Sequence, residues 1–314
     1  MNYLKLNNGV EMPQLGLGTF LIPGQDLERT IASAYEIGYR KFDTAWRYHN
    51  EDGIAKALKK HGVNRQDVFI TTKINNDAFF RGGYRWDRKG LFNLWNFKTV
   101  KRVIQESFDN LDTDYIDLFL IHWPAPIPFA QMMYKGLTKF YKEGRIRAIG
   151  VCSCLPPHFD AFADVSDVVP AVNQFEISPL NTQKKLIKWC QNKGIVVEAM
   201  STFSHFRSNE PRMEILENPA IIPIAKSHNK TVAQVVLKWL LQQGISIIPK
   251  TWDEVRLKEN FDLFDFELTP SEMEIIDGLD GGQFLNYDPY LSLRLPLASM
   301  GRCPKKYRQW KGFE

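Results

Sequence analysis

Residues 39–74 read YRKFDTAWRYHNEDGIAKALKKHGVNRQDVFITTKI, and the order of patterns within them decides the fold. YRKFDTA (Tyr39–Ala45) and DVFITTKI (Asp67–Ile74) are short runs rich in apolar and β-branched residues, of strand length. Between them GIAKALKKHG (Gly53–Gly62) spaces its apolar residues at helical intervals and closes on a glycine suited to the position after a helix. Strand, helix and strand make a βα unit, and such units assemble around a parallel sheet.

The same unit recurs along the chain. LGLGTF, IDLFLIHW, RAIGVCS, PAVNQFE, IVVEAMS and ISIIPKT bring the strands to eight, with amphipathic stretches such as LERTIASAYEIG, TVKRVIQESFDNL, KKLIKWCQNKG and TVAQVVLKWLLQQG between them. Eight units of this length predict an α/β fold, a closed (β/α)8 TIM barrel forming one domain over residues 1–314. The first strand argues against an open doubly wound sheet. It runs into TFLIPGQD, and the GLG of Gly16–Gly18 lacks the third glycine and the helix of a dinucleotide-binding turn. Upstream, LKLNNGVEMPQL reads as a small β-hairpin turning at Asn7-Asn8-Gly9, placed to plug the barrel's bottom.

Two segments exceed a minimal barrel. DAFFRGGYRWDRKGLFNLWN (77–96) is far longer than the usual βα loop and belongs over the C-terminal face. The stretch 281–314 is rich in turns and ends basic.

Composition narrows the function. The 40 basic and 36 acidic residues leave a net charge of +4 with no long block of one sign, so a nucleic-acid footprint is not expected. No membrane-spanning run or basic-then-apolar leader is present, which makes the cytoplasm the expected location. The four cysteines, Cys152, Cys154, Cys190 and Cys303, match no zinc spacing and read as free thiols. Asn229-Lys230-Thr231 fits the glycosylation pattern, but without a secretory signal it reads as chance. No metal is expected, and the oligomeric expectation is a monomer or weak dimer.

In a barrel the C-terminal strand ends converge on one face, which brings Asp43 and Tyr48 together with Lys73 and His122. A buried carboxylate needs a cation, and Lys73 supplies it. A lysine beside a phenol also favours phenolate, so the sequence predicts Tyr48 lowered from about 10 toward the working range, as a general acid. Four titratable groups on consecutive strand ends are where acid–base chemistry is expected.

LNNGVEMPQLGLGTF, FDTAWRYHNE, FITTKI, DYIDLFLIHWP, GRIRAIGV, NQFE and IPKT, with Arg256 and Glu259-Asn260 beyond, resemble the aldo-keto reductase superfamily across nearly the whole chain. The resemblance implies NADPH-dependent carbonyl reduction on a (β/α)8 barrel, with Asp43, Tyr48, Lys73 and His122 as the catalytic tetrad. Tyr48 would protonate the carbonyl oxygen that His122 orients, and the cofactor would deliver the hydride. For NADP(H) it implies Lys250, Thr251 and Arg256 on the 2′-phosphate and Glu259 and Asn260 on the adenine. It also implies Thr19 near the ribose, Gln174 on the carboxamide and Ser201 near the diphosphate. Asn173 and Glu176 read as structural.

Three departures lie beside the nicotinamide. Cys152-Ser153 replaces a serine–asparagine pair, leaving Ser153 to reach the carboxamide directly or through water. Met200 stands where the family places an aromatic on the ring face, and Thr202-Phe203 replaces a proline and leucine. Phe20, Trp46 and Trp123 are expected to line the substrate pocket, with Trp86 and neighbours Phe79, Phe80 or Trp95 above it. Arg81 and Arg85 read either as receivers of an anionic substrate or as solvated loop charges. The expected partner is a small carbonyl compound. The alternative is a barrel that binds NADP(H) as a regulatory or sensor subunit with weak or lost turnover.

Overall fold

Eight strands pair in parallel and in chain order in the computed structural model: β3 (Leu17–Gly18), β4 (Lys41–Asp43), β5 (Phe69–Ile74), β6 (Ile116–Ile121), β7 (Ile146–Cys152), β8 (Val172–Glu176), β9 (Val196–Met200) and β10 (Ser246–Ile247). The structure describes residues 1–75, 97–124, 126–203, 210–282, 284 and 312–313. The expected loop over 77–96 lies outside them, and of the 281–314 stretch only five residues fall within them.

The two outer strands meet. Leu15 bridges Ile247, the Gly16 amide donates to the Ile247 carbonyl at 2.9 Å, and the Ile247 amide donates to the Gln14 carbonyl at 2.8 Å. The sheet therefore closes on itself as the (β/α)8 barrel expected. Close approach at this seam accounts for both glycines of LGLG. A Cβ on Gly18 would sit 2.8 Å from the Ile248 carbonyl oxygen, and one on Gly16 would sit 2.4 Å from Lys41 Cε. Their function is steric and has nothing to do with a dinucleotide turn.

Helices α1 (Gly24–Ile37), α2 (Glu51–Lys60), α3 (Phe97–Asn110), α4 (Ile127–Lys142), α5 (Pro156–Ala163) and α6 (Lys184–Asn192) alternate with the strands. After β9 come α7 (Glu210–Leu216), α8 (Ile221–Ser227) and α9 (Val232–Gln242), and after β10 come α10 (Glu254–Phe261) and α11 (Pro270–Asp277). Alternate residues of a strand face opposite sides, so each strand serves two cores. Phe42, Ile70, Phe119, Ile121, Ile149 and Val151 pack outward against the helices. Phe69, Leu118, Leu120, Ala148 and Val172 point inward and meet Leu6 and Met12 of the N-terminal hairpin.

That hairpin pairs β1 (Tyr3–Lys5) with β2 (Glu11–Pro13), Leu4 opposite Met12, and turns where Gly9 takes φ 88°. The Asn7 and Asn8 side-chain amides donate to the Pro170 and Arg147 carbonyls at 3.2 and 2.8 Å. The turn is thus pinned beneath β7 and β8, and the hairpin plugs the barrel. At the other terminus Phe313 packs on the main core, and its carbonyl accepts from Lys185 at 3.3 Å. Among the described residues no helix is long and apolar enough to cross a membrane, and no cluster of His, Cys, Asp or Glu is placed to hold a metal ion.

Candidate active site

Beyond β4 the chain makes a short 3-10 turn at Trp46–Tyr48, ended by His49 at φ 54°. With roughly three residues per turn, the three side chains leave in three directions. The Trp46 indole donates to Glu106 of α3 at 3.0 Å. Arg47 is exposed. Tyr48 turns inward, its hydroxyl 3.4 Å from His122 Nε2 and its ring 4.8 Å from that of Phe20. Buried Asn50 braces the turn, accepting from the Thr44 hydroxyl at 2.6 Å and donating to the Thr19 carbonyl at 3.0 Å. Thr19 completes the brace by donating its hydroxyl to the Asp43 carbonyl at 2.9 Å.

Lys73, at the inward-facing end of β5, supplies the cation the sequence demanded. Its Nζ lies 2.5 Å from Asp43 Oδ1, donates to the Thr44 carbonyl at 2.9 Å, and sits 5.2 Å from the Tyr48 ring centre. Burial pushes the Asp43 carboxyl up and the Glu198 charge adds to the rise, while Lys73 and Gln174 pull it down. Burial alone would neutralise Lys73, but the Asp43 carboxylate reverses this and holds the ammonium above its usual range. The short contact and the Gln174 amide on Asp43 Oδ2 at 3.0 Å favour the ionised pair.

The phenol departs from the sequence prediction. Burial pushes Tyr48 up to about 12, outweighing the nearby Lys73 ammonium, which pulls the other way. The hydroxyl therefore keeps its proton at neutral pH. His122 is driven well below its ordinary range, first by burial and then by Lys73 and Arg47, so its imidazole is neutral. A protonated phenol and a neutral imidazole together face one point at the mouth.

Gln174 bridges two buried carboxylates. Its Nε2 donates to both Asp43 and Glu198, at 3.0 and 2.9 Å, and its Oε1 lies 3.7 Å from the Cys152 thiol. Burial holds that thiol protonated. Ser153 and Ser201 both take left-handed backbone, φ 50° and 55°, so the chain turns sharply after β7 and β9. Half-buried Met200 ends β9. Asn173 is structural as read: its amide pairs with the Cys154 backbone on both sides, at 3.3 and 2.9 Å.

Past β10, Lys250 lies 4.5 Å over the Trp252 ring and Thr251 is buried. Asp253 caps α10 by accepting the Arg256 amide at 2.9 Å, and Arg256 is exposed. Glu259 accepts from the Thr231 hydroxyl at 2.6 Å, and Asn260 is buried. Burial and the Arg212 charge lower the Lys250 ammonium. Arg212, on α7, was not singled out from sequence, and no local signal there ties it to Lys250. Among the expected pocket walls, Phe20 stands against Tyr48, and Trp123 stacks on His122 at 5.5 Å and 12°. Trp46 hydrogen-bonds Glu106 of α3 through its indole N–H, while Trp86, Phe79, Phe80, Trp95, Arg81 and Arg85 lie outside the described residues.

Sequence reading also passed over Lys41, Glu198 and Ser246. Lys41 precedes Asp43 by two residues and Glu198 precedes Met200 by two, so strand alternation alone places both inside the barrel.

The model of the Aldo/keto reductase family matches residues 14–280. Glyoxal reductase of Bacillus subtilis is 38% identical over 287 residues, covering 91% of this chain and 95% of the relative. Methylglyoxal reductase DkgA of Escherichia coli is 37% identical, covering 91% and 96%. Among solved structures, a mutant of Gox0644 in complex with NADPH superposes with a TM-score of 0.79 at 32% identity, covering 92% and 97%. Aldose reductase from Schistosoma japonicum does so at 0.80 and 28%, covering 98% and 99%. The chain belongs to the aldo/keto reductase family.

Proposed function

We propose that this protein is an NADPH-dependent reductase that converts an aldehyde or ketone to an alcohol, with Tyr48 as the general acid. The observation that carries the proposal is the Tyr48 hydroxyl beside His122 Nε2 at 3.4 Å, backed by the Lys73–Asp43 pair. Tyr48 gives its proton to the carbonyl oxygen, and the neutral imidazole, with hydrogen on Nε2, orients that oxygen. Lys73 stabilises the phenolate left behind, and Asp43 keeps Lys73 in place. The bound cofactor supplies the hydride.

The donor set suits that cofactor. Lys250, with the Arg212 charge acting on it, the Thr251 hydroxyl and Arg256 would serve a phosphomonoester, which favours NADPH over NADH. Asn260 and Glu259 would hold the adenine, Ser201 the diphosphate and Thr19 the ribose, and Met200 would cover the nicotinamide face. Both Nε2 hydrogens of Gln174 serve carboxylates, so it would meet the carboxamide through its Oε1, with Ser153 beside it. Phe20 and Trp123 wall the substrate pocket.

Relatives named for glyoxal and methylglyoxal, and a morphine 6-dehydrogenase of Pseudomonas putida at 38% identity, put dicarbonyls first in a substrate panel while leaving room for bulkier ketones. The three buried free thiols among the described residues accord with a reducing cytoplasm, and the working state is taken as a monomer or weak dimer.

The test follows the reduced-nicotinamide absorbance with that panel. Tyr48→Phe should lower kcat by about 10²- to 10⁴-fold while NADPH binding persists. Equal rates for wild type and Tyr48→Phe, with cofactor still bound, would leave the regulatory-subunit reading in its place.

A further inference from the structure

Beside the Asp43–Lys73 pair lies a second buried ion pair that the proposed chemistry does not use. Lys41 Nζ is 2.5 Å from Glu198 Oε2, and neither side chain touches solvent. Stability gives little reason for it, since a buried pair is often no better than apolar residues of the same size. The surroundings are nonetheless built to hold it. Ser246 Oγ accepts from Lys41 at 2.5 Å and lies 2.7 Å from Glu198 Oε2, and the missing Cβ of Gly16 makes room for the lysine chain. Lys41, with Ser246 and Gln174, outweighs burial and keeps the Glu198 carboxyl below its usual range.

Gln174 joins the two pairs. It stands opposite Glu198 in the β8–β9 register, and its Nε2 donates to Glu198 Oε1 at 2.9 Å and to Asp43 Oδ2 at 3.0 Å. A continuous path results: Lys41, Glu198, Gln174, Asp43, Lys73, and then Tyr48. Its two lysines and two carboxylates sum to zero charge.

We infer that Lys41 and Glu198 are positioning residues for the proton donor: through Gln174 they hold Asp43 and Lys73, and their balanced charges set the field at the Tyr48 phenol. The inference rests on the reading of Tyr48 as proton donor. Tyr48 is faced by Asp43 from β4, Lys73 from β5, His122 after β6 and the Cys152 thiol from β7, with Arg47 in its own turn. Glu198 is faced by Lys41 and the Asp43 charge from β4, the Cys152 thiol from β7, Gln174 from β8 and Ser246 from β10. Removing the Glu198 charge leaves a net positive cluster, which favours phenolate. Removing the Lys41 charge leaves a net negative one, which opposes it, and removing both restores the balance.

The phenol can be titrated without turnover, by NMR of protein carrying ¹³C at tyrosine Cζ, with Tyr48→Phe assigning the resonance. Glu198→Gln should lower the Tyr48 midpoint by about half to one pH unit, raising the phenolate fraction at a fixed alkaline pH about three- to tenfold. Lys41→Met should raise the midpoint by a similar amount, and Lys41→Met/Glu198→Gln should return it to wild type. The alkaline loss of reductase activity should move with the same signs. If Lys41→Met does not fold, the charge-preserving Lys41→Arg and the double variant carry the test: both should titrate like wild type while Glu198→Gln alone moves. Shifts of one sign in both single variants, no shift, or no compensation in the double would overturn the inference. A wild type that reduces no carbonyl would sink the proposed function, while the NMR titration would still decide the coupling.

Discussion

Replacing Lys73 by Met strands a carboxylate. Asp43 is 3% exposed and would keep only the Gln174 amide as a side-chain donor, with the Glu198 charge still nearby. Breaking a buried pair by removing one partner costs about 3–5 kcal/mol. The loss should depend on pH, because burial and Glu198 are then opposed by the Gln174 amide alone and raise the folded Asp43 pKa above the unfolded value of about 3.9. Such a group contributes stability below its unfolded pKa and loses it as pH rises through the folded one. The loss of about 3 kcal/mol therefore develops as pH rises from about 4 toward neutrality. Urea denaturation followed by far-UV circular dichroism should therefore show a Lys73→Met deficit that is small near pH 4 and full at pH 8. Asp43→Asn added to Lys73→Met should recover most of it. A deficit under about 1 kcal/mol at pH 8, or one independent of pH, would refute the buried-pair argument.

Two further outcomes test other parts of the site. Gly16→Ala puts a Cβ 2.4 Å from Lys41 Cε and should cost about 1–3 kcal/mol, seen as a lower denaturation midpoint; an unchanged midpoint would mean Lys41 moves freely. Arg212→Ala removes a cation beside Lys250 and should weaken NADPH binding about tenfold while leaving NADH unchanged, measured by fluorescence titration. Equal effects on both cofactors would remove Arg212 from the phosphate site.

The barrel was legible because strand and helix periods alternate without a break from LGLGTF to ISIIPKT, and because Asn7-Asn8-Gly9 signals its hairpin. Strand lengths were not. YRKFDTA yields only Lys41–Asp43 as strand, since the chain leaves the sheet at Thr44 to make the turn that aims Tyr48. The Tyr48 titration was read with the wrong sign because the sequence displays the nearby lysine, whereas the desolvation that outweighs it depends on the surrounding fold.

By itself the sequence determined which residues reach the mouth: period-two strands in a barrel of known chirality place Asp43, Lys73 and His122 at strand ends, whatever the details of packing. Tertiary structure decided what those residues do to one another. Gln174 sits beside Glu198 and within reach of Asp43 only once β4, β8 and β9 curl around a common axis. The Trp46 indole turns to Glu106 only because α3 packs there. Contacts between residues far apart in sequence, and the loss of water around them, carry no local signature, and in this protein they set the charge state of the site.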